Sequence, residues 1–337
     1  MSIKIFKMVF YTLKLFLPQL TFNFTSKRLS RSFCSTKNFQ NSQTEQQQLS
    51  TVNLSFDLHL ETFKRNEGKI EATNPLVITH GIFGHKQNWR SIAKALQREL
   101  DNYVFVVDMR NHGESPHVPE CSYSLMAADL REFIEKEVLS RSRFKNVFLL
   151  GHSMGGKVVS EFGLQDSQSS TPLLEKLIIE DIAPHRSTTS SLNNHEYIKA
   201  LKSLDLHKTR TELDRELRKQ IVNADIRAFL LTNLYKPRGG RFHWRCNLSA
   251  LESNLNHLIN YKLETNLKQK CPTLFVSGKK SEYLIVERDR EEILKIFPKA
   301  EFVEIGGAGH WVHSERPAQF IQHVVNFLKK GYFIYEQ

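Results

Sequence analysis

The stretch VFLLGHSMGG, residues 147–156, decides the fold of this 337-residue chain. Its first four residues form an apolar run of the kind that makes a buried strand. GHSMG, residues 151–155, follows as a G-x-S-x-G pattern, which places its serine on a tight turn between a strand and a helix. Glycine flanks the serine because a side chain there would collide with the neighbouring strand or helix. The pattern predicts that Ser153 is a nucleophile.

Strand-like and helix-like segments alternate on both sides of this turn. Apolar residues at helical spacing predict helices over 89–100, 124–139 and 320–328. Short apolar or alternating runs predict strands over 52–63, 75–80, 103–107, 147–150, 177–182, 273–276 and 301–305. We expect the first of these strands to run antiparallel to the rest of the sheet. The alternation predicts an α/β fold, with a mostly parallel sheet and helices on both faces.

The alternation stops between Pro184 and Lys270. This segment is helix-rich and charged, and no strand pairs are evident in it. We predict a helical cap over residues 184–270, inserted between two parts of one core at 51–183 and 271–337. A second independent domain is the alternative, which the lack of strand pairs disfavours.

The first 50 residues differ in composition from the rest. Residues 1–44 contain seven Lys or Arg and no Asp or Glu, which is typical of a mitochondrial transit peptide. RSFCS, residues 31–35, resembles a matrix-protease cleavage site, and residues 38–50 form a Gln-rich linker. The alternative is a secretory signal, because residues 8–24 are quite apolar. Lys14 and Pro18 interrupt that run, so we predict no membrane span.

Charge and cysteine content exclude other classes of function. Seven of the +11 net charges lie in the first 44 residues, which leaves +4 for the rest and predicts no nucleic-acid binding. The four cysteines show no paired spacing. We therefore predict neither a disulfide framework nor a metal site, and a reducing compartment.

A serine nucleophile needs a base, and the base needs an orienting acid. GGAGHW, residues 306–311, follows the last predicted strand, and its small residues would let the loop carry His310 over the sheet edge. We predict that His310 is the base and that His313 is a structural neighbour.

The acid is harder to choose. Asp181 follows the apolar run that ends at Glu180, and active sites of parallel sheets gather at that edge. Asp181 is therefore the predicted acid, with Glu282 as the alternative. Ser281 stands where an Asp is usual after the next strand, and could hydrogen-bond the histidine or the acid.

Two loops after strands complete the predicted site. HGIFG, residues 80–84, follows a strand, and the main-chain N–H groups of Ile82 and Met154 are the predicted donors to an oxyanion. Phe83 is the alternative to Ile82. The polar loop 108–116 is predicted to brace the site.

These residues together resemble the α/β-hydrolase superfamily, and especially the mitochondrial α/β-hydrolase domain-containing protein 11 family and small bacterial esterases. The resemblance covers residues 75–328. It is carried by HGIFGHKQNW (80–89), VVDMRNHGESPH (106–117), GHSMGGKV (151–158) and GAGHWVHSERP (307–317), together with LLTNL (230–234) and GRFHWRCNLSAL (240–251) in the cap. Some relatives have Asp where this chain has Ser249.

The resemblance implies the α/β-hydrolase fold and a serine hydrolase that cleaves a small-molecule acyl ester or thioester without a cofactor. Residue by residue it implies Ser153 as nucleophile, His310 as base, and Ile82 and Met154 as oxyanion donors. The position of Asp181 fits the acid of the bacterial relatives. Carbon–carbon bond hydrolases and cofactor-free haloperoxidases share this scaffold. A catalytically weak binding protein of the same fold is a further alternative.

Overall fold

A seven-stranded sheet runs through the protein in a computed structural model that describes residues 50–59, 74–140, 144–187, 191, 193–264 and 266–331. A separate two-stranded ladder lies in the segment predicted to be the cap. In chain order the strands are β1 (Phe56–His59), β2 (Leu76–Thr79), β3 (Val104–Val107), β4 (Val147–His152), β5 (Leu174–Glu180), β6 (Leu234–Tyr235), β7 (His243–Trp244), β8 (Thr273–Gly278) and β9 (Ala300–Ile305).

The strands of the large sheet lie in the order β1-β3-β2-β4-β5-β8-β9. Strand β1 pairs with β3 in the antiparallel sense, and every other neighbouring pair is parallel. Strands β2, β3 and β4 are apolar over most of their length and fully buried, as expected for parallel strands covered on both faces. The predicted α/β fold with a mostly parallel sheet is confirmed.

Helices cover both faces of the sheet. The helices are α1 (Arg90–Leu100), α2 (Tyr123–Phe133), α3 (Met154–Asp166), α4 (Asn193–Lys202), α5 (Arg210–Leu217), α6 (Ala224–Leu230), α7 (Leu248–Asn260), α8 (Val286–Ile296), α9 (Val312–Glu315) and α10 (Pro317–Lys329). The apolar side chains of α1 and α10 pack with Leu76 and Ile78 on one face. Those of α2, α3 and α8 pack with Val77 and Leu149 on the other face. Side chains alternate between faces along a strand, so each strand contributes to both cores.

The segment between β5 and β8 contains α4 to α7, as its helix-rich composition predicts. Its expected lack of strand pairs was wrong, because β6 and β7 form a short antiparallel ladder. Each of these strands is only two residues long, so neither gives a detectable alternation. The described residues of this segment belong to the same compact unit as the sheet.

The predicted strands and helices outside the segment 184–270 are found with shifted ends, and α8 is a helix that was not predicted. The strand predicted over 52–63 is β1, and residues 60–73 lie outside the described residues. The helix predicted over 124–139 is α2 followed by a turn of π-helix over Ile134–Leu139. The predicted transit peptide and linker cover residues 1–50, which lie outside the described part except for Ser50. Within the described residues, no helix is long and apolar enough to cross a membrane.

Candidate active site

Ser153 sits on the turn between β4 and α3. Its φ of 54° and ψ of −114° are strained for a residue with a side chain. The turn has room only for glycine at two positions. A Cβ on Gly151 would overlap the carbonyl oxygen of Gly155, and a Cβ on Gly155 would lie 2.6 Å from the carbonyl oxygen of Thr79. The close packing of α3 on β2 and β4 therefore presents the Ser153 hydroxyl at the sheet edge.

The side chain of His310 lies between Ser153 and Asp181. The Nε2 atom of His310 is 3.0 Å from the Ser153 Oγ, and its Nδ1 atom is 2.7 Å from the Asp181 Oδ2. In this arrangement the ring donates from Nδ1 to the carboxylate and accepts the serine proton at Nε2. The structure thus brings the three side chains predicted as nucleophile, base and acid into one hydrogen-bonded chain, the geometry of a nucleophile with its base and orienting acid.

Asp181 lies at the end of β5 with its side chain fully buried. Its Oδ1 accepts a hydrogen bond of 3.0 Å from the Gly278 N–H, and its Oδ2 accepts one from the Ser281 hydroxyl. Glu282, the alternative acid, is exposed, and so is Ser249 on α7. Asp181 is the carboxylate that reaches His310.

The loop after β2 brings main-chain N–H groups close to Ser153. Gly81, Ile82 and Met154 line the same cavity as Ser153. Met154 is the first residue of α3, so its N–H has no partner within the helix. The Ile82 N–H has no acceptor among the residues that the structure describes. Both predicted oxyanion donors are therefore available to a ligand.

Two side chains hold this loop in place. The Nε2 atom of His80 accepts from the Met109 N–H at 3.1 Å, which leaves the Nδ1 proton to donate to the Gly81 carbonyl at 2.8 Å. Burial lowers the pKa of His80, in agreement with a neutral ring. From the segment between β5 and β8, the Asn233 Nδ2 donates to the carbonyl of Phe83 at 2.6 Å. Asn233 lies in the LLTNL stretch (230–234) that carries the resemblance, but the sequence alone assigned it no role.

The polar loop 108–116 forms a buried charge cluster. The Asp108 carboxylate accepts from the Lys86 N–H at 2.6 Å, from the Lys86 Nζ at 3.1 Å and from the Glu114 N–H at 2.9 Å. A Cβ on Gly113, which has a φ of 58°, would overlap that carboxylate. These contacts join the loop to the start of α1 and its preceding turn.

A second cluster of titratable side chains lies next to His310. Glu180 accepts from the His313 N–H at 2.8 Å and from its ring Nδ1 at 2.8 Å, and the ring stacks on Trp89. The His152 Nε2 donates to the His310 carbonyl at 2.9 Å. Burial raises the pKa of Glu180 to about 7 and lowers the pKa values of His152 and His313 to about 3.

Candidate ligand atoms of His152, Glu180 and His313 lie within 4.8 Å of one another, a spacing that could hold a metal ion. The hydrogen bonds just described already occupy Glu180 and one nitrogen of each histidine. These hydrogen bonds have a structural role, because the one from His152 holds the main chain of His310 in place. The sequence predicted His313 only as a neighbour of the site.

A cavity of about 290 Å³ opens over the Ser153 hydroxyl. Tyr283 forms part of its wall and stacks on the His310 ring, with centroids 3.8 Å apart. The segment between β5 and β8 supplies both an apolar and a polar wall of the cavity. The apolar side chains are Ile226, Phe229, Leu230, Leu255, Leu258 and Ile259, and the polar ones are Ser191, Asn193, Asn194 and Tyr197. The cavity therefore suits a mostly apolar ligand that carries a few polar groups.

Comparison with known proteins identifies relatives over most of the chain. Residues 76–323 match the profile described as the alpha/beta hydrolase family. The sn-1-specific diacylglycerol lipase ABHD11 of Danio rerio is 36% identical over 286 residues, which are 83% of this chain and 84% of that protein. The Mus musculus protein of the same name is 37% identical over 265 residues, or 77% and 82% of the two chains. A solved structure described as a marine microorganism esterase is 36% identical with a TM-score of 0.72, and the match covers 82% of this chain and all of that one.

Proposed function

The chain belongs to the alpha/beta hydrolase family, and on that premise we propose that it is a serine hydrolase that cleaves carboxylic esters of lipid-derived alcohols or acids. The observation that carries this proposal is the hydrogen-bonded chain from the Ser153 Oγ through His310 to the buried Asp181 carboxylate. Relatives named as a diacylglycerol lipase and an esterase support ester cleavage. The apolar wall of the cavity supports a lipid-like substrate.

The first half of the reaction forms an acyl-enzyme. The Ser153 oxygen attacks the ester carbonyl while the His310 Nε2 takes its proton, and Asp181 stabilises the resulting imidazolium through Nδ1. The carbonyl oxygen becomes an oxyanion held by the Ile82 and Met154 N–H groups. Each donor contributes on the order of 3 kcal/mol to transition-state stabilisation. His310 then gives its proton to the leaving alkoxide, and the alcohol departs.

The second half releases the acid. His310 Nε2 takes a proton from water as that water attacks the acyl-enzyme carbonyl. The same two N–H groups hold the second oxyanion, and the proton returns to the Ser153 oxygen as the acyl bond breaks. Every step uses side chains and amides of this chain, so we propose that the reaction needs no cofactor. A thioester would react by the same steps with a thiolate leaving group.

Labelling by a fluorophosphonate probe tests the nucleophile directly. We expect the wild-type protein to be labelled at Ser153 and to release acid from a panel of short and long acyl esters, and the Ser153→Ala protein to do neither. An unlabelled wild-type protein, or equal labelling of Ser153→Ala, would contradict the proposal. A folded protein that binds acyl esters without cleaving them would instead be a binding protein of this fold.

We also propose that residues 184–270 act as a cap that selects the substrate, because this segment supplies both walls of the cavity. The acid-free, basic composition of residues 1–44 supports import into the mitochondrial matrix. Expression of the full chain with a C-terminal fluorescent tag tests the location. Loss of mitochondrial signal on removal of residues 1–44 is expected, and secretion of the tagged protein would contradict it.

A further inference from the structure

One cation lies inside the cavity of the proposed active site. Lys157 is one helical turn beyond Ser153 on α3, and its side chain lines the same cavity with only 4% of its surface exposed. Its Nζ donates to the Tyr261 carbonyl at 3.0 Å. The centroids of the Tyr123 and Tyr261 rings lie 5.8 and 6.0 Å from the Nζ, at the outer limit of a cation–π contact.

This ammonium has fewer partners than the other two lysines that are buried in the described part of the chain. Lys86 forms ion pairs with Asp108 and Glu114, and the Nζ of Lys176 donates to three main-chain carbonyls. Among the described residues, no carboxylate forms an ion pair with Lys157, and the Tyr261 carbonyl is its one acceptor. An ammonium carries three donors, so two of them remain for a ligand.

The carboxylate one turn further along α3 is engaged elsewhere. Glu161 accepts from the Tyr261 hydroxyl, from the Ser124 hydroxyl at 3.3 Å and from the Gln165 side chain at 2.8 Å. A buried charge without a counter-ion is unfavourable, and an apolar side chain of the same length would fill this position at lower cost. A ligand with a negative charge in this cavity would supply the missing counter-ion.

We propose that Lys157 binds an anionic oxygen group of the substrate, a carboxylate or phosphate that lies a few bonds from the scissile carbonyl. This inference rests on the proposed function and narrows it, because it makes the substrate an acidic ester with an apolar part. The apolar wall contacts the chain of that ester, and Lys157 selects for its charge. Ser153 and Lys157 line the same cavity, so the scissile carbonyl and the anionic group of one substrate would occupy it together.

Two pairs of esters test the proposal and locate the anion. On the acyl side, mono-4-nitrophenyl glutarate is compared with its methyl ester, which has the same chain and no charge. On the alcohol side, butyryl-glycerol 3-phosphate is compared with butyryl-glycerol. The measured quantity is the ratio of kcat/KM within each pair, which cancels differences in the amount of active protein.

We expect the wild-type enzyme to favour the anionic member of one pair by about 10- to 100-fold, in line with one charge-assisted hydrogen bond. Lys157→Met should bring that ratio close to one, and Lys157→Arg should keep part of the preference. If Lys157→Met does not fold, Lys157→Gln serves as the neutral variant. The proposal would be overturned if the wild-type enzyme showed no preference in either pair of esters. It would also be overturned if the neutral variant at Lys157 kept the preference.

A binding measurement separates this inference from the hydrolase proposal. Glutarate is titrated by calorimetry into Ser153→Ala and into the double variant Ser153→Ala/Lys157→Met. Binding about tenfold weaker in the double variant supports anion recognition even if no ester is cleaved. Equal binding, or none to either protein, counts against Lys157 as the anion site and leaves the nucleophile to be judged by labelling.

Discussion

Asn233 of the cap segment donates a hydrogen bond of 2.6 Å to the main-chain carbonyl of Phe83, in the loop that carries the proposed oxyanion donor. Both residues are buried, and Phe83 has a φ of 60°. A residue in this conformation persists only when its surroundings hold it there. The bond therefore makes the position of the Ile82 N–H depend on a residue about 150 positions later in the chain.

We predict that Asn233→Leu lowers kcat by about 10- to 100-fold, with a smaller effect on KM, because a loop displaced by about 1 Å weakens transition-state stabilisation. Steady-state kinetics on a neutral ester and the rate of fluorophosphonate labelling measure this effect. Asn254→Leu is the matched control, since Asn254 lies on α7 outside the cavity lining. Equal losses in both variants would refute the link.

Replacement of the proposed acid should abolish most turnover. We predict that Asp181→Asn lowers kcat by about 10⁴-fold, because an amide cannot stabilise the imidazolium and can favour the wrong tautomer of His310. Glu282→Gln is the control, and its exposed side chain should leave kcat within about twofold of wild type. Circular dichroism checks that both proteins fold. A near-wild-type rate for Asp181→Asn would remove Asp181 from the mechanism.

The strained backbone at Ser153 gives a prediction about stability. Ser153→Ala and Ser153→Gly should both be inactive, but Ser153→Gly should have the larger free energy of unfolding, by about 1 kcal/mol. Relief of positive-φ strain outweighs the greater freedom of glycine in the unfolded chain. Urea unfolding measures the difference. Ser167 is the control, because its φ of −63° causes no strain. There, Ser167→Ala should have a larger free energy of unfolding than Ser167→Gly.

The buried Lys157 gives a pH-dependent prediction. Burial lowers the pKa of Lys157 from 10.5 to about 8. Between these two pH values the unfolded chain still binds a proton that the folded protein has released, so the free energy of unfolding rises with pH. The full change is about 3 kcal/mol. Lys157→Met lacks this dependence and should be more stable than wild type at pH 7 by up to about that amount.

Urea unfolding of both proteins between pH 7 and 10.5 measures how the advantage of Lys157→Met declines. The neighbouring groups do not obscure the effect. Burial raises the pKa values of Tyr123 and Tyr261 and lowers that of His185, which keeps all three neutral over this range. A difference in stability that stays constant with pH would show that Lys157 is not a buried charge.

The sheet and the turn at Ser153 could be predicted because local sequence encodes them. Buried parallel strands are continuous apolar runs, and the G-x-S-x-G turn needs glycine at fixed positions. Asp181 and His310 could be chosen because the ends of parallel strands meet at one edge. Their roles in catalysis stay predictions, although the structure brings their side chains to hydrogen-bonding distance.

Other parts of the site could not be predicted because they depend on contacts between distant segments. Asn233 lies in the LLTNL stretch that carries the resemblance and Tyr283 in none of the stretches, but neither could be given a role because their partners lie 150 and 27 residues away. Lys157 lies in the GHSMGGKV stretch (151–158), but whether its ammonium has a counter-ion depends on the fold. The short ladder of β6 and β7 is two residues long on each side, too short for any periodic signal.

The order of the strands places three of the proposed reacting groups in loops of the sheet, while many of the side chains that line the cavity come from a separate segment. β2, β4 and β5 lie side by side, and Ile82, Ser153 and Asp181 follow closely after their ends. The cap segment enters after β5 and returns at β8, so new side chains can be exchanged there without moving those three. A chimaera that carries a relative's segment 184–270 should inherit that relative's preference for the apolar part of the ester but keep the preference for charge set by Lys157, provided that an amide is kept where Asn233 stands.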